Sequence, residues 1–177
     1  MPKVIENLKE QFLAEAKKQV FERGYAQTTI RSIASACGVG VGTVYNYFKS
    51  KEMLIATFVF EEWKHYLREM SALSCDEPKS FLQGIHRLLK EFSTRNEKLF
   101  LDPEAVKLVS VGFSARHKLL RAQISEFILP LCERNQVDNA QFTAEFLAES
   151  IICWTMENMD FEVMWPLLEK IIQSKKQ

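Results

Sequence analysis

Residues 24–54 read GYAQTTIRSIASACGVGVGTVYNYFKSKEML, and this stretch decides the fold. Gly24 ends a preceding helix, because glycine accepts the left-handed conformation that follows one. Thr28 and Thr29 offer an N-cap to a short second helix carrying Ile30, Ile33 and Ala34. Cys37-Gly38-Val39-Gly40 makes a tight turn, and a third short helix follows over about Val41 to Phe48. Ser50 caps a fourth, with Glu52 in its first turn, where the helix dipole favours negative charge. Two short helices joined by a tight turn can set the second of them into a DNA major groove while the first crosses the backbone. Thr43, Tyr45, Asn46 and Tyr47 are hydrogen-bonding residues of suitable reach on that second helix. Lys49 and Lys51 sit just beyond it, placed for phosphates, and the fourth helix can add backbone N–H groups at its start.

Outward from this stretch the pattern stays helical. Upstream, Ile5, Leu8, Phe12, Ala16 and Val20 recur at spacings of three and four and mark one face of a first helix. Downstream, the fourth helix runs through Leu54, Phe58, Trp63 and Leu67 until the polar residues 74–80. Periodicity resumes at Phe81, Ile85, Leu88, Leu89 and Phe92, and Asp102-Pro103-Glu104 reads as a fresh start with proline in the first turn. Gly112 interrupts, then Leu120, Ile124, Phe127 and Leu131 repeat at four-three-four spacing, with Pro130 expected to kink or loosen that helix. The run from Phe142 to Met159 is apolar around much of its circumference and has to be covered on more than one side. No strand-like alternation persists, so the expected class is all-α.

The chain of 177 residues suits one or two small modules, and no apolar run approaches the roughly 20 residues that span a bilayer. A charged amphipathic start in place of an apolar signal core points to a cytoplasmic protein. The net charge is zero, but residues 1–51 hold eight Lys and Arg against four Asp and Glu, so the first third carries the positive surplus that phosphates attract. Cys37, Cys75, Cys132 and Cys153 are scattered without a Cys-x-x-Cys pair; buried free thiols are the expectation, redox sensing the alternative. His65, His86 and His117 form no ligand-spaced set, which disfavours a metal. No Gly-rich phosphate loop or clustered acid–base pair suggests an enzyme or a cofactor.

The pattern Thr29-x-x-x-Ile33-Ala34-x-x-x-Gly38-Val39-x-x-Gly42-Thr43-Val44-Tyr45-x-Tyr47-Phe48-x-Ser50-Lys51-Glu52-x-Leu54 resembles the DNA-binding domain of the tetracycline-repressor (TetR) family. The likeness covers about residues 6–66, with the helix-turn-helix proper near 29–48. It implies a three-helix DNA-binding domain at 6–66 and a helical bundle for effector binding and dimerisation at 67–177. By similarity, Thr29 and Arg31 touch phosphate or a base edge. Val41, Gly42, Thr43, Tyr45 and Asn46 lie nearest the groove, and Tyr47 and Lys51 grip the backbone. Two departures stand out. Gly40 replaces the serine often found in the family, which costs the third helix a few tenths of a kcal/mol in capping. Val41 offers only apolar contact, for example with a thymine methyl, so readout should rest on Thr43, Tyr45 and Asn46. Ile30, Ile33, Ala34, Val39, Val44 and Phe48 read as the small domain's core, and Lys9, Lys17 and Lys18 as a solvated face.

The resemblance further implies a homodimer whose last long helices pair across a two-fold axis, matching half-sites about 34 Å apart in a palindromic operator. The second apolar face of 142–159 supports this, and Leu120, Ile124, Phe127, Leu131, Leu147 and Ile151 are the candidate interface. Trp63, Tyr66, Phe92, Phe113 and Trp154, with Phe100 and Met156, are candidates for a pocket that takes an apolar or aromatic small molecule. Glu157 and Asp160 could meet a cationic ligand but read more simply as exposed helix ends. The functional expectation is a DNA-binding repressor released from its operator by an effector, the fourth helix serving as lever between the domains. The alternative keeps DNA binding but places it under a protein partner or gives it an architectural role.

Overall fold

The computed structural model describes residues 7–105 and 113–174, with side chains in the second stretch from 117 onward. They are helical without a strand. The helices are α1 (Leu8–Arg23), α2 (Ile30–Ala36), α3 (Val41–Tyr47), α4 (Lys51–Ser71), α5 (Pro78–Arg95), α6 (Glu97–Phe100), α7 (Phe113–Arg134), α8 (Ala140–Met156) and α9 (Phe161–Gln173). Residues 103–105 add a helical turn where Pro103 was read as a start. Among the described residues, no helix is long and apolar enough to cross a membrane. Ile5 and Gly112 lie outside the described residues.

The chain divides into two compact units. Residues 7–64 and 96–105 make the first. Its core is what the periodicity of α1 and α2 dictates: Phe12, Ala16 and Val20 meet Ile30, Ile33 and Ala34, with Val44 and Phe48 closing over them and Leu54, Ile55 and Phe58 of α4 below. Leu99 and Ala105 join this core, α6 packs on α1, and the Lys98 ammonium donates to the Phe21 carbonyl at 3.0 Å. No motif marks residues 96–105 as part of this unit. They are the portion that a boundary drawn after residue 66 leaves out.

Residues 65–95 and the described residues from 113 on make the second unit. Phe81, Leu82, Ile85, Leu88 and Leu89 form one face of α5, and α5 packs against α8 and α9. The most extensive pairing is α7 with α8. There Ile124, Ile128 and Leu131 face Ala144, Leu147, Ala148 and Ile151, all fully buried. Helix α7 runs on through Pro130, and α9 through Pro166, so neither proline ends its helix. Pro130 points to solvent. The four cysteines are free: Cys132 is buried and Cys37, Cys75 and Cys153 are half-buried.

Candidate nucleic-acid interface and effector groove

The helix-turn-helix is held by a few specific contacts. Thr29 caps α2: its Oγ1 accepts from the Ser32 N–H at 3.0 Å, and the Ser32 hydroxyl oxygen accepts the Thr29 N–H in return, a closed capping box. The Ser32 hydroxyl also donates to Gln19 Oε1, and Gln19, almost fully buried, donates to Glu15, so α1 and α2 are tied by polar contacts beneath their apolar seam. Thr28, the other capping candidate, is buried and donates back to the Gly24 carbonyl. In the turn, Gly38 takes φ 68°, the left-handed region, and the Val39 N–H returns to the Ala34 carbonyl at 3.0 Å.

This turn aims α3. Its N-cap, Gly40, supplies no side-chain hydrogen bond, and Val44 is its one buried residue. Gly42, Tyr45 and Asn46 therefore face solvent together, flanked by half-buried Val41 and Thr43. Tyr45 and Tyr47 are 50% and 48% exposed, large areas for aromatic side chains on so short a helix. Tyr47 is braced: its ring meets that of Phe12 edge-on at 5.6 Å. Thr29 and Arg31 are exposed at the start of α2. Phe48 is buried, as the reading of it as packing requires.

Lys51 is more committed than its position in the sequence suggests. Its ammonium donates to the Tyr25 carbonyl at 3.1 Å and sits 3.8 Å above the centre of the Tyr25 ring. Two further N–H donors remain on that ammonium for an anion. Tyr25 in turn donates to Glu52 at 3.2 Å; burial first, then Glu52 beside it, pushes the phenol well above its ordinary value. A hydrogen bond from Ser50 holds the Glu52 carboxyl below the usual range, and the Ser50 hydroxyl oxygen also accepts the Met53 N–H as the cap of α4. Lys17, read as part of a solvated face, pairs with Glu62 at 2.9 Å.

In the second unit an open groove of about 680 Å³ is lined by Tyr66, His86 and Phe161 with Arg87, Lys90, Glu91, Arg95 and Asp160 around them. Of the aromatic residues expected to line a pocket, Tyr66 does so. Phe92 stacks edge-on against Tyr66 at 5.4 Å and is not part of the lining. Trp63 is buried in the first unit, to which the half-buried Phe100 also belongs. Trp154 is half-buried away from the groove lining, Met156 is exposed, and the Phe113 side chain lies outside the described residues. The groove thus carries more charge than an apolar pocket: its cations outnumber its carboxylates, and Arg87 already holds Glu91 at 2.7 Å. His86 donates from Nε2 to the Met159 carbonyl at 3.1 Å, and burial lowers its proton affinity below the ordinary histidine value. Phe161 stacks on Trp165 with ring centres 6.0 Å apart.

Of the candidate interface, Ile124, Leu131, Leu147 and Ile151 are fully buried within one chain and hold no surface for a second copy. Their period points them into the α7–α8 seam. Leu120 and Phe127 keep partial exposure. The large apolar side chains of α8 that the single chain leaves open are Phe142, 71% exposed, Phe146 one turn on, 45% exposed, and Met156 at the helix end.

Residues 12–57 match the family model described as bacterial regulatory proteins, tetR family. An uncharacterized HTH-type transcriptional regulator, YerO of Bacillus subtilis (strain 168), is 43% identical over 47 residues, 27% of this chain and 16% of YerO. The chain spans between 16% and 42% of the length of the curated relatives it matches. Among solved structures, Thermus thermophilus FadR, a TetR-family repressor in complex with lauroyl-CoA, is 22% identical with a TM-score of 0.60, covering 93% of this chain and 92% of that one. BioQ with its double-stranded DNA operator is 18% identical with a TM-score of 0.57, covering 93% and 97%. Those two share the fold over nearly the whole chain, and the matched segment holds α2, the turn and α3. Residues 12–57 thus carry the helix-turn-helix segment described by the tetR family of bacterial regulatory proteins.

Proposed function

We propose that this chain is a sequence-specific DNA-binding transcriptional regulator that holds a palindromic operator as a homodimer and is released by a small-molecule effector. The observation that carries the reading is α3: a capless, seven-residue helix with one buried side chain and an outward face of Gly42, Tyr45 and Asn46. A surface so poor in packing and so rich in donors and acceptors has little structural purpose, and it suits base edges in a major groove. Gly42 lets the backbone approach closely, and Thr43 and Val41 flank the contact. Thr29, Arg31, Tyr47 and Lys51 hold phosphates to either side, Lys51 with the donors that Tyr25 leaves over.

The homodimer rests on α8. With Ile124, Leu131, Leu147 and Ile151 spent inside one chain, the interface is assigned to Phe142 and Phe146, helped by what Leu120 and Phe127 still expose. The effector is assigned to the groove at Tyr66, His86 and Phe161, whose cationic rim suits a molecule with an apolar body and an anionic end. Lauroyl-CoA, bound by the Thermus relative, has that chemistry. The effector acts only if it binds the released conformer more tightly; a few kcal/mol of difference is enough.

The test is fluorescence anisotropy with labelled duplexes enriched from a random pool by the purified protein. We expect a palindromic consensus bound in a salt-sensitive way, and a loss of about tenfold or more on Tyr45→Ala combined with Asn46→Ala. A pool that yields no consensus, or a double variant that binds the selected duplex as well as the parent, would defeat the reading.

A further inference from the structure

Cysteine and histidine carry no ligand spacing along this chain, yet the fold brings one of each together around a carboxylate. His117 stands on α7, and Glu149 and Cys153 lie one turn apart on α8, against which α7 packs. His117 Nε2 is 2.8 Å from Glu149 Oε1, and the Cys153 thiol donates to the same oxygen at 3.4 Å. All three donor atoms lie within 4.8 Å of one another. Each residue is half-buried, so an ion can arrive from solvent without the helices parting.

We propose that His117, Glu149 and Cys153 form a binding site for a divalent transition-metal ion, zinc being the natural occupant. An imidazole nitrogen, a thiolate and one carboxylate oxygen make a borderline-soft set that suits zinc, whereas calcium and magnesium call for oxygen throughout. The geometry asks for little movement. With bonds of about 2.0–2.3 Å to a tetrahedral zinc, nitrogen and oxygen sit about 3.4 Å apart and sulfur and oxygen about 3.6 Å. Opening the His117–Glu149 contact by roughly half an ångström, and the Cys153–Glu149 contact by less, therefore admits the ion. The His117 nitrogen and the Cys153 sulfur, within 4.8 Å of each other, have to come to about 3.6 Å as well. Water takes the fourth position.

The surrounding charges fit the same reading. Arg121 lies 3.7 Å from Glu149 Oε2, the oxygen that Cys153 does not use. A carboxylate bound through Oε1 alone keeps Arg121 as its outer partner, which fixes the carboxylate plane while moderating affinity. Binding releases the Cys153 thiol proton to water, and the proton that His117 Nε2 donates to Glu149 passes through water to Nδ1, which frees the Nε2 lone pair for the ion. The site lies within the C-terminal unit, and its test involves neither DNA nor effector.

The test uses the full chain, stripped of metal, titrated with zinc chloride by calorimetry and with cobalt chloride by absorption. We expect one ion per chain and, with cobalt, the near-ultraviolet band of a thiolate ligand. Cys153→Ser should abolish that band, and both it and His117→Gln should weaken zinc by more than about tenfold, the least that losing even an outer partner costs. His117→Gln should keep the band. Cys75→Ser and His65→Gln should change nothing. Should either ligand variant fail to fold by circular dichroism, Glu149→Gln takes its place, with the same weakening expected. A parent protein without one-to-one binding overturns the site, and so do ligand variants that bind as the parent does.

Discussion

Gly38 makes the turn before α3 possible. Its φ of 68° is strained for any side chain, although a Cβ there would meet nothing within 4 Å. Gly38→Ala should therefore cost about 1–2 kcal/mol through backbone conformation alone, read as a lower urea midpoint with an unchanged slope. Tyr45 and Asn46 should behave in the opposite way. Both are exposed, so replacing either with alanine should leave stability within about 0.5 kcal/mol while DNA affinity falls. His86 gives the fold a dependence on pH. Burial depresses its folded-state proton affinity, so the unfolded chain takes up the proton first, at about pH 6.5. The stability this histidine contributes is complete above that value and is lost as pH falls toward and through its folded value. Thermal melting should therefore come earlier at about pH 5.5 than at about pH 7.5, and His86→Gln should narrow the gap.

At the level of helices, the prediction concerns α8. Phe142 and Phe146 repeat one turn apart on the face opposite Leu147 and Ile151. Phe142→Glu combined with Phe146→Glu should convert a dimer to a monomer in analytical ultracentrifugation while keeping helix content, because neither side chain fills the chain's own core. Which face of α8 turns inward was not legible in the sequence. A helix apolar on two sides announces that both are covered, but periodicity assigns no partner to either, and Ile124, Leu131, Leu147 and Ile151 proved to pack against one another. The start of α2, the turn at Gly38 and the cap at Ser50 were legible, because each depends on local backbone chemistry carried by one or two residues. The outward set on α3 was legible for the same reason: a seven-residue helix has a single inward position to fill, and Val44 fills it. Contacts between distant helices were not. His117 and Glu149 stand 32 residues apart, and nothing in either neighbourhood points to the other. The groove likewise draws on residues of α5 and the start of α9, whose charges read singly as solvated helix faces.

For the molecule as a whole, the proposed function turns on how charge is distributed along the chain. The first 51 residues carry the positive surplus and the remainder its negative counterpart, so the pull on phosphates that an operator-binding role requires falls on the first third of the sequence. Operator affinity should fall steeply with salt, and Arg31→Ala should reduce the slope of log affinity against log salt by about one unit per chain, as loss of one phosphate contact does. The ring pair at the groove has a use of another kind. Trp165 lies nearly parallel to Phe161, which lines the groove, and the Lys79 ammonium approaches the same indole at 5.9 Å. Indole emission depends on such neighbours, so the chain carries its own fluorophore beside the place where an effector would lodge. Retaining Trp165 while replacing Trp63 and Trp154 with phenylalanine would turn the protein into an optical sensor, letting a compound library be screened by colour shift before any operator is known.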